Sequence, residues 1–130
     1  MKGFAVVVLA GLLLFTGCSK STPSDNYNLT GNWSGNIRFS TLGISATVNY
    51  TFTQAGTAVT GTFTIDTGRN GTFSGTLSGS TLSGTMTFQD ACTGTASVSG
   101  TVKSSTSIDG NGTANDCKGT NTFTFSIGKS

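Results

Sequence analysis

The 130-residue chain has no histidine and no glutamate, and only 9% of its residues are charged. Soluble domains usually carry about a quarter charged residues. These absences close most routes to catalysis. A nucleophilic triad needs a base, and acid–base work near neutral pH falls mainly to histidine or a tuned glutamate. We therefore expect no enzymatic activity and no cofactor. Zinc lacks a ligand set. The acids are all aspartates; Asp66, Asp90 and Asp116, with nearby asparagines, are conceivable calcium ligands but lack EF-hand spacing. The net charge of +2 comes without a basic run, so nucleic acid is not an expected partner. Proline occurs once, and no segment shows helical periodicity. "GRNG" at residues 68–71 reads as a hairpin turn, because a phosphate-binding loop needs a helix after it.

What remains is glycine (19 residues), nine Phe, two Tyr and one Trp, set in a background of Ser and Thr that makes up roughly a third of the chain. Aromatics recurring in step with threonine argue against disorder, and β-branched threonine favours strands. From Asn28 onward apolar residues alternate with polar ones. Trp33, Ile37 and Phe39 share one parity; Val48, Tyr50 and Phe52 continue it, as do Phe63 and Ile65, Phe73 and Leu77, Met86 and Phe88, Ala96 and Val98, then Phe123, Phe125 and Ile127. Period two marks strands with one buried face. Turn-rich breaks at "TLG", "QAGT", "DTGRN", "SGS", "QDA", "KSST" and "NDCKG" divide the chain into eight strands of about ten residues. Connections this short require antiparallel neighbours.

These features predict an all-β fold, an eight-stranded antiparallel up-and-down β-barrel over residues 28–130. Closure removes the edges that a threonine-rich sheet would expose. Gly31, Gly35, Gly61, Gly75, Gly84, Gly94, Gly100, Gly110 and Gly112 share the apolar parity, so they point inward, and Trp33 is expected to fill space left by Gly31 and Gly35. A transmembrane barrel would reverse the faces and turn most of these glycines toward lipid. The chain shows no aromatic girdles at the strand ends.

The first residues, "MKGFAVVVLAGLLLFTGC", place a lysine before an apolar run too short to cross a membrane as a helix, followed by small residues. This is the layout of a secretory signal peptide. Its end, Thr16-Gly17-Cys18, resembles a bacterial lipobox, with Phe15 where leucine is usual. The resemblance implies a signal peptide over 1–17, a lipidated Cys18 and a polar linker through residue 27. The implied location is a bacterial cell envelope, lipid-anchored on its periplasmic or surface side. The chain has three cysteines. With Cys18 lipidated, Cys92 and Cys117 remain to pair in an oxidising compartment.

At "LTGNWSG", Gly31, Asn32 and Trp33 resemble the Gly-x-Trp motif on the first strand of calycins, the lipocalin and avidin superfamily. The resemblance spans Leu29 to Ile127 and implies a barrel whose tryptophan plugs the closed end. The further tryptophans of biotin binders are missing, so biotin is not expected, and the lipocalins' C-terminal helix is missing too. Small bacterial lipoproteins with "GTWSG…GTVSGT" patterns are also similar.

Alternating strand direction sorts the connections to two ends. Near the linker lie Gln54–Thr57, Ser78–Ser80 and Lys103–Thr106. The opposite end collects Asp66, Arg69, Asp90, Asp116 and Lys118, with Arg38 close by and both Cys92 and Cys117. Function on barrels gathers on loops held by a rigid frame. Two roles are open. One is a non-enzymatic protein-contact or structural module of the envelope, inhibitor-like by analogy, using the charged loops. The other is a calycin-like barrel for a small apolar ligand, with a cavity lined by Tyr50, Phe52, Phe63, Phe88 and Phe123. A continuous apolar cavity of about 300 Å³ or more favours the ligand; a filled interior favours contact.

Overall fold

The computed structural model describes residues 27–130. The expected signal peptide, Cys18 and the linker through residue 26 lie outside the described residues. Within them the chain forms β1 (Gly31–Phe39), β2 (Ile44–Ala55), β3 (Ala58–Ile65), β4 (Arg69–Ser78), β5 (Thr81–Phe88), β6 (Gly94–Ser104), β7 (Ser107–Asp116) and β8 (Gly119–Lys129). Each strand pairs antiparallel with the next, and β1 pairs with β8, so the sheet closes into an eight-stranded up-and-down barrel. The register is continuous apart from an irregularity between Val102 and Ser104.

Parity controls the packing. Inward residues such as Ile37, Val48, Phe63, Leu82, Met86, Ile108 and Phe123 are buried, and the core they form runs through all eight strands. Each large apolar side chain so buried contributes about 1.5–3 kcal/mol relative to exposure. Tyr50 lies at the centre, its ring stacked on Phe52 at 5.0 Å and within 6.4 Å of Phe63, Phe73 and Phe125. Its hydroxyl reaches the Met86 sulfur at 3.4 Å, and burial pushes its pKa up. The outer wall carries exposed cross-strand hydroxyl pairs such as Thr51–Thr62, Thr87–Thr95 and Ser97–Thr113. Leu42 and Ile44 are the exposed large hydrophobic residues among those described. This wall lacks the apolar band of a transmembrane barrel.

The inward glycines leave room for large neighbours at Gly84 and Gly110, where a Cβ would meet the Phe73 and Phe125 rings at 2.6 and 2.5 Å, and at other positions they let the strands approach closely. A Cβ on Gly35 would overlap the Ser126 carbonyl of β8, and one on Gly31 would meet the Lys129 side chain at 2.9 Å, with φ already at +138°. The same kind of overlap with a neighbouring backbone carbonyl recurs at Gly61, Gly71, Gly94 and Gly112. At Gly31 and Gly35 the nearest atoms that a Cβ would strike belong to β8. Glycine permits the close approach of strands that a narrow coiled barrel requires.

The end near residue 27 forms a floor. The Trp33 indole N–H donates to the Leu29 carbonyl at 2.8 Å. Leu29 N–H donates to Gln54 Oε1 at 2.8 Å, and Gln54 Nε2 donates to Tyr27 O at 3.0 Å. Lys129 Nζ donates to Asn28 O at 3.1 Å. Tyr27, expected in the linker, packs against the core. A short irregular segment is thereby drawn across the floor, its backbone satisfied by side chains.

Candidate functional site

The opposite end is the mouth, and its centre is Arg69. Arg69 and Asp116 were expected in turns; they are the first residue of β4 and the last of β7. Arg69 has the parity of Gly71 and Phe73, and Asp116 that of Ala114, so both side chains lean over the barrel opening. The guanidinium forks three ways. Nε donates to Asp90 Oδ2 at 3.0 Å, Nη1 to Asp116 Oδ2 at 3.1 Å, and Nη2 to the Cys92 carbonyl at 2.8 Å. Its carbon lies 4.1 Å from the centroid of the Phe88 ring below, a cation–π arrangement. A planar fork of donors suits arginine and would not suit lysine.

The acceptors are held in turn. Asp90 receives N–H groups from Asn70 at 3.0 Å and Cys92 at 2.8 Å. Partial burial pushes the Asp90 carboxyl up, but these backbone donors and Arg69 outweigh it and hold its pKa below the ordinary 3.8. A carboxylate with a lowered folded-state pKa contributes stability above its ordinary value, and that stability is lost as the pH falls through the folded value. Thermal melts should therefore be flat through mildly acidic pH and fall below about pH 4, and Asp90→Asn should make that fall shallower.

Cys92, in the β5–β6 connection, and Cys117, in the β7–β8 turn, form a disulfide with Cα atoms 5.1 Å apart. It braces the segment whose carbonyl Arg69 binds. The cysteines are 25 positions apart, so the loop-entropy relation gives about 3.5 kcal/mol. The double variant Cys92→Ser, Cys117→Ser should lower the urea midpoint accordingly and steepen the slope that reports exposed surface, because the unfolded chain is no longer held compact by the cross-link. Asp116 lies beside the two sulfurs as a third metal-ligating side chain, but the sulfurs are bonded to each other and offer no thiolates.

Between this rim and the β1–β2 turn opens a cleft of about 110 Å³, lined by Phe39, Leu42, Ile44, Thr67, Arg69, Asp116, Lys118 and Asn121. Leu42 and Ile44 are 44% and 43% exposed. Asn121 is 4% exposed, the buried polar residue of the barrel. Of the charged residues expected at this end, the structure brings together Arg69, Asp90 and Asp116, with Lys118 on the cleft. Arg38 points outward and donates to Ser45 Oγ at 3.1 Å; Asp66 accepts from Thr47 N–H at 3.2 Å. Neither joins the Arg69 cluster. The aromatics expected to line a cavity, Tyr50, Phe52, Phe63, Phe88 and Phe123, are buried in the core, and the cleft has other walls. Asn121 was missed, although its parity with Phe123 marks it as inward.

Fold and site together define a narrow closed barrel with a sealed floor and a braced, ion-paired mouth. Known structures share the fold. A barrel described as EF1p2_mFAP2b bound to DFHBI aligns with a TM-score of 0.67 at 17% identity, covering 78% of this chain and 94% of that one. The redesigned β-barrel mFAP1, also bound to DFHBI, aligns at 0.63 and 19% identity over 78% of this chain and 94% of its own. A further redesigned barrel, b11L5F_LGL, aligns at 0.64 and 18% identity, covering 78% and 91%. No family model matches the chain, and no curated protein sequence does.

Proposed function

We propose that this protein is a non-enzymatic contact module of a bacterial cell envelope, anchored through a lipidated Cys18, that engages a partner protein with its mouth. The observation that carries the reading is the asymmetry of the two ends. The chain's own residues 27–30 seal the floor. The mouth joins a disulfide-braced, ion-paired rim to the exposed Leu42 and Ile44. Exposed apolar side chains rimmed by polar groups mark contact surfaces, and a stiff rim loses little entropy on binding. The anchor is supported by the sequence of residues 1–18 alone, and the lack of histidine and glutamate supports a non-catalytic role.

The test is site-directed photo-crosslinking of the full-length protein in its native membranes. Leu42→Ser, Ile44→Ser and Lys118→Ala should abolish partner crosslinks that Thr57→Ala, Ser80→Ala and Thr106→Ala on the floor turns leave intact. The opposite pattern refutes the assignment. Fractionation of Cys18→Ser tests the anchor: it should leave the membrane fraction.

A second reading is a small apolar ligand at the mouth. Its support is that two barrels of similar fold hold DFHBI. The cleft of about 110 Å³ is well below the roughly 300 Å³ at which ligand pockets begin, which favours protein contact.

A further inference from the structure

We infer that the mouth cleft is a socket for one branched aliphatic side chain of a partner protein, presented beside a peptide group that pairs with Asn121. The inference rests on the contact reading above and specifies the chemistry of the occupant.

Three observations carry it. The first is size. The cleft, at about 110 Å³, is smaller than the ~150 Å³ cavity that admits benzene. A four-carbon branched group fits; a fused ring or an acyl chain does not. The second is the wall. Phe39, Leu42 and Ile44 supply an apolar lining, with the last two reaching into solvent. The third is Asn121. It is buried, it lines the cleft, and its side-chain amide makes no hydrogen bond among those described. Among the described residues every fully enclosed polar side-chain atom has a partner, so this amide opens on the cleft. A carboxamide has both donor and acceptor sites, and a peptide group offers the complementary acceptor and donor.

Of the two cations on the cleft, Arg69 is already engaged by Asp90, Asp116 and the Cys92 carbonyl, and Lys118 is exposed, so an anionic ligand would find only a solvated, screened ammonium. A hydrocarbon chain would leave the Asn121 amide unpaired, at a cost in affinity. A sugar would leave the apolar wall unused.

The experiment uses the full-length oxidised protein in detergent and N-acetyl-leucine N-methylamide as probe, followed by NMR. Saturable shifts are expected in the Asn121 side-chain amide and the Leu42 and Ile44 methyl groups. N-acetyl-glycine N-methylamide, which lacks the side chain, and 3-methylbutan-1-ol, which lacks the peptide group, should each bind about tenfold more weakly or worse. The double variant Leu42→Ser, Ile44→Ser should weaken the leucine probe by about tenfold. Absence of saturable shifts, or equal binding by either control compound, overturns the socket. If the leucine probe fails while mouth variants still lose partner crosslinks, the socket chemistry is wrong and the contact reading survives. If the probe binds and those variants keep their crosslinks, the socket stands and the contact reading fails.

Discussion

Replacing Arg69 by methionine should destabilise the folded barrel by about 3 kcal/mol, the lower end of the range for removing one partner from a buried ion pair, because the cluster is partly buried. Methionine keeps an unbranched stem over the Phe88 ring and deletes only the charged fork. What it leaves behind sets the size of the effect. Asp116, with 3% of its side chain exposed, loses its partner at 3.1 Å; Asp90 loses one at 3.0 Å; the Cys92 carbonyl loses a donor. Two carboxylates would then share one rim without a counter-charge. Arg69→Lys should recover part of the loss, since an ammonium supplies charge without the planar fork. Asp90 would lose the guanidinium that helps hold its pKa down, so the Arg69→Met penalty should also shrink between neutral and acid pH. Urea unfolding of oxidised protein at both pH values measures this. A loss below about 1 kcal/mol would make the cluster an ordinary surface pair.

Trp33→Ala should cost a comparable amount, about 3–5 kcal/mol, for a different reason. The indole is fully buried at the floor, with the Phe52 ring centroid 6.3 Å away. Truncation opens a cavity and strips the Leu29 carbonyl of its donor. Trp33→Phe keeps most of the volume and loses that hydrogen bond, so its cost should be smaller, about 1–3 kcal/mol. Because Trp33 is the single tryptophan, its emission reports the wild-type transition directly: blue-shifted when folded, red-shifted in urea. Emission unchanged on unfolding would place Trp33 in water and refute the floor.

Much of the architecture was legible because strand parity is a local property. Tyr50 and Phe52, or Phe123 and Phe125, declare their face from their own neighbours, and short connections leave antiparallel pairing as the available route to a closed sheet. The same parity held information that turn chemistry obscured. "DTGRN" and "NDCKG" look like turns, which hides that Arg69 opens β4 and Asp116 closes β7. Counting two residues back from Gly71, or forward from Ala114, points both side chains inward. Asn121 was legible by the same count, set against a general preference for polar residues outside.

Other features were not legible at any window length. The reason for glycine at residue 35 is the Ser126 carbonyl, 91 positions away and adjacent only after β1 and β8 close the barrel. The Arg69 cluster draws on three separate places in the chain, the start of β4, the β5–β6 connection and the end of β7, while Asp66, only three positions from Arg69 in sequence, and Arg38 stay apart. The strand faces, the antiparallel order and the end at which charge gathers each follow from spacing along one segment. Which charges pair, where the cleft opens and which carbonyl crowds each inward glycine follow from barrel closure. Those outcomes depend on distances between strands that the chain brings together only when the barrel closes.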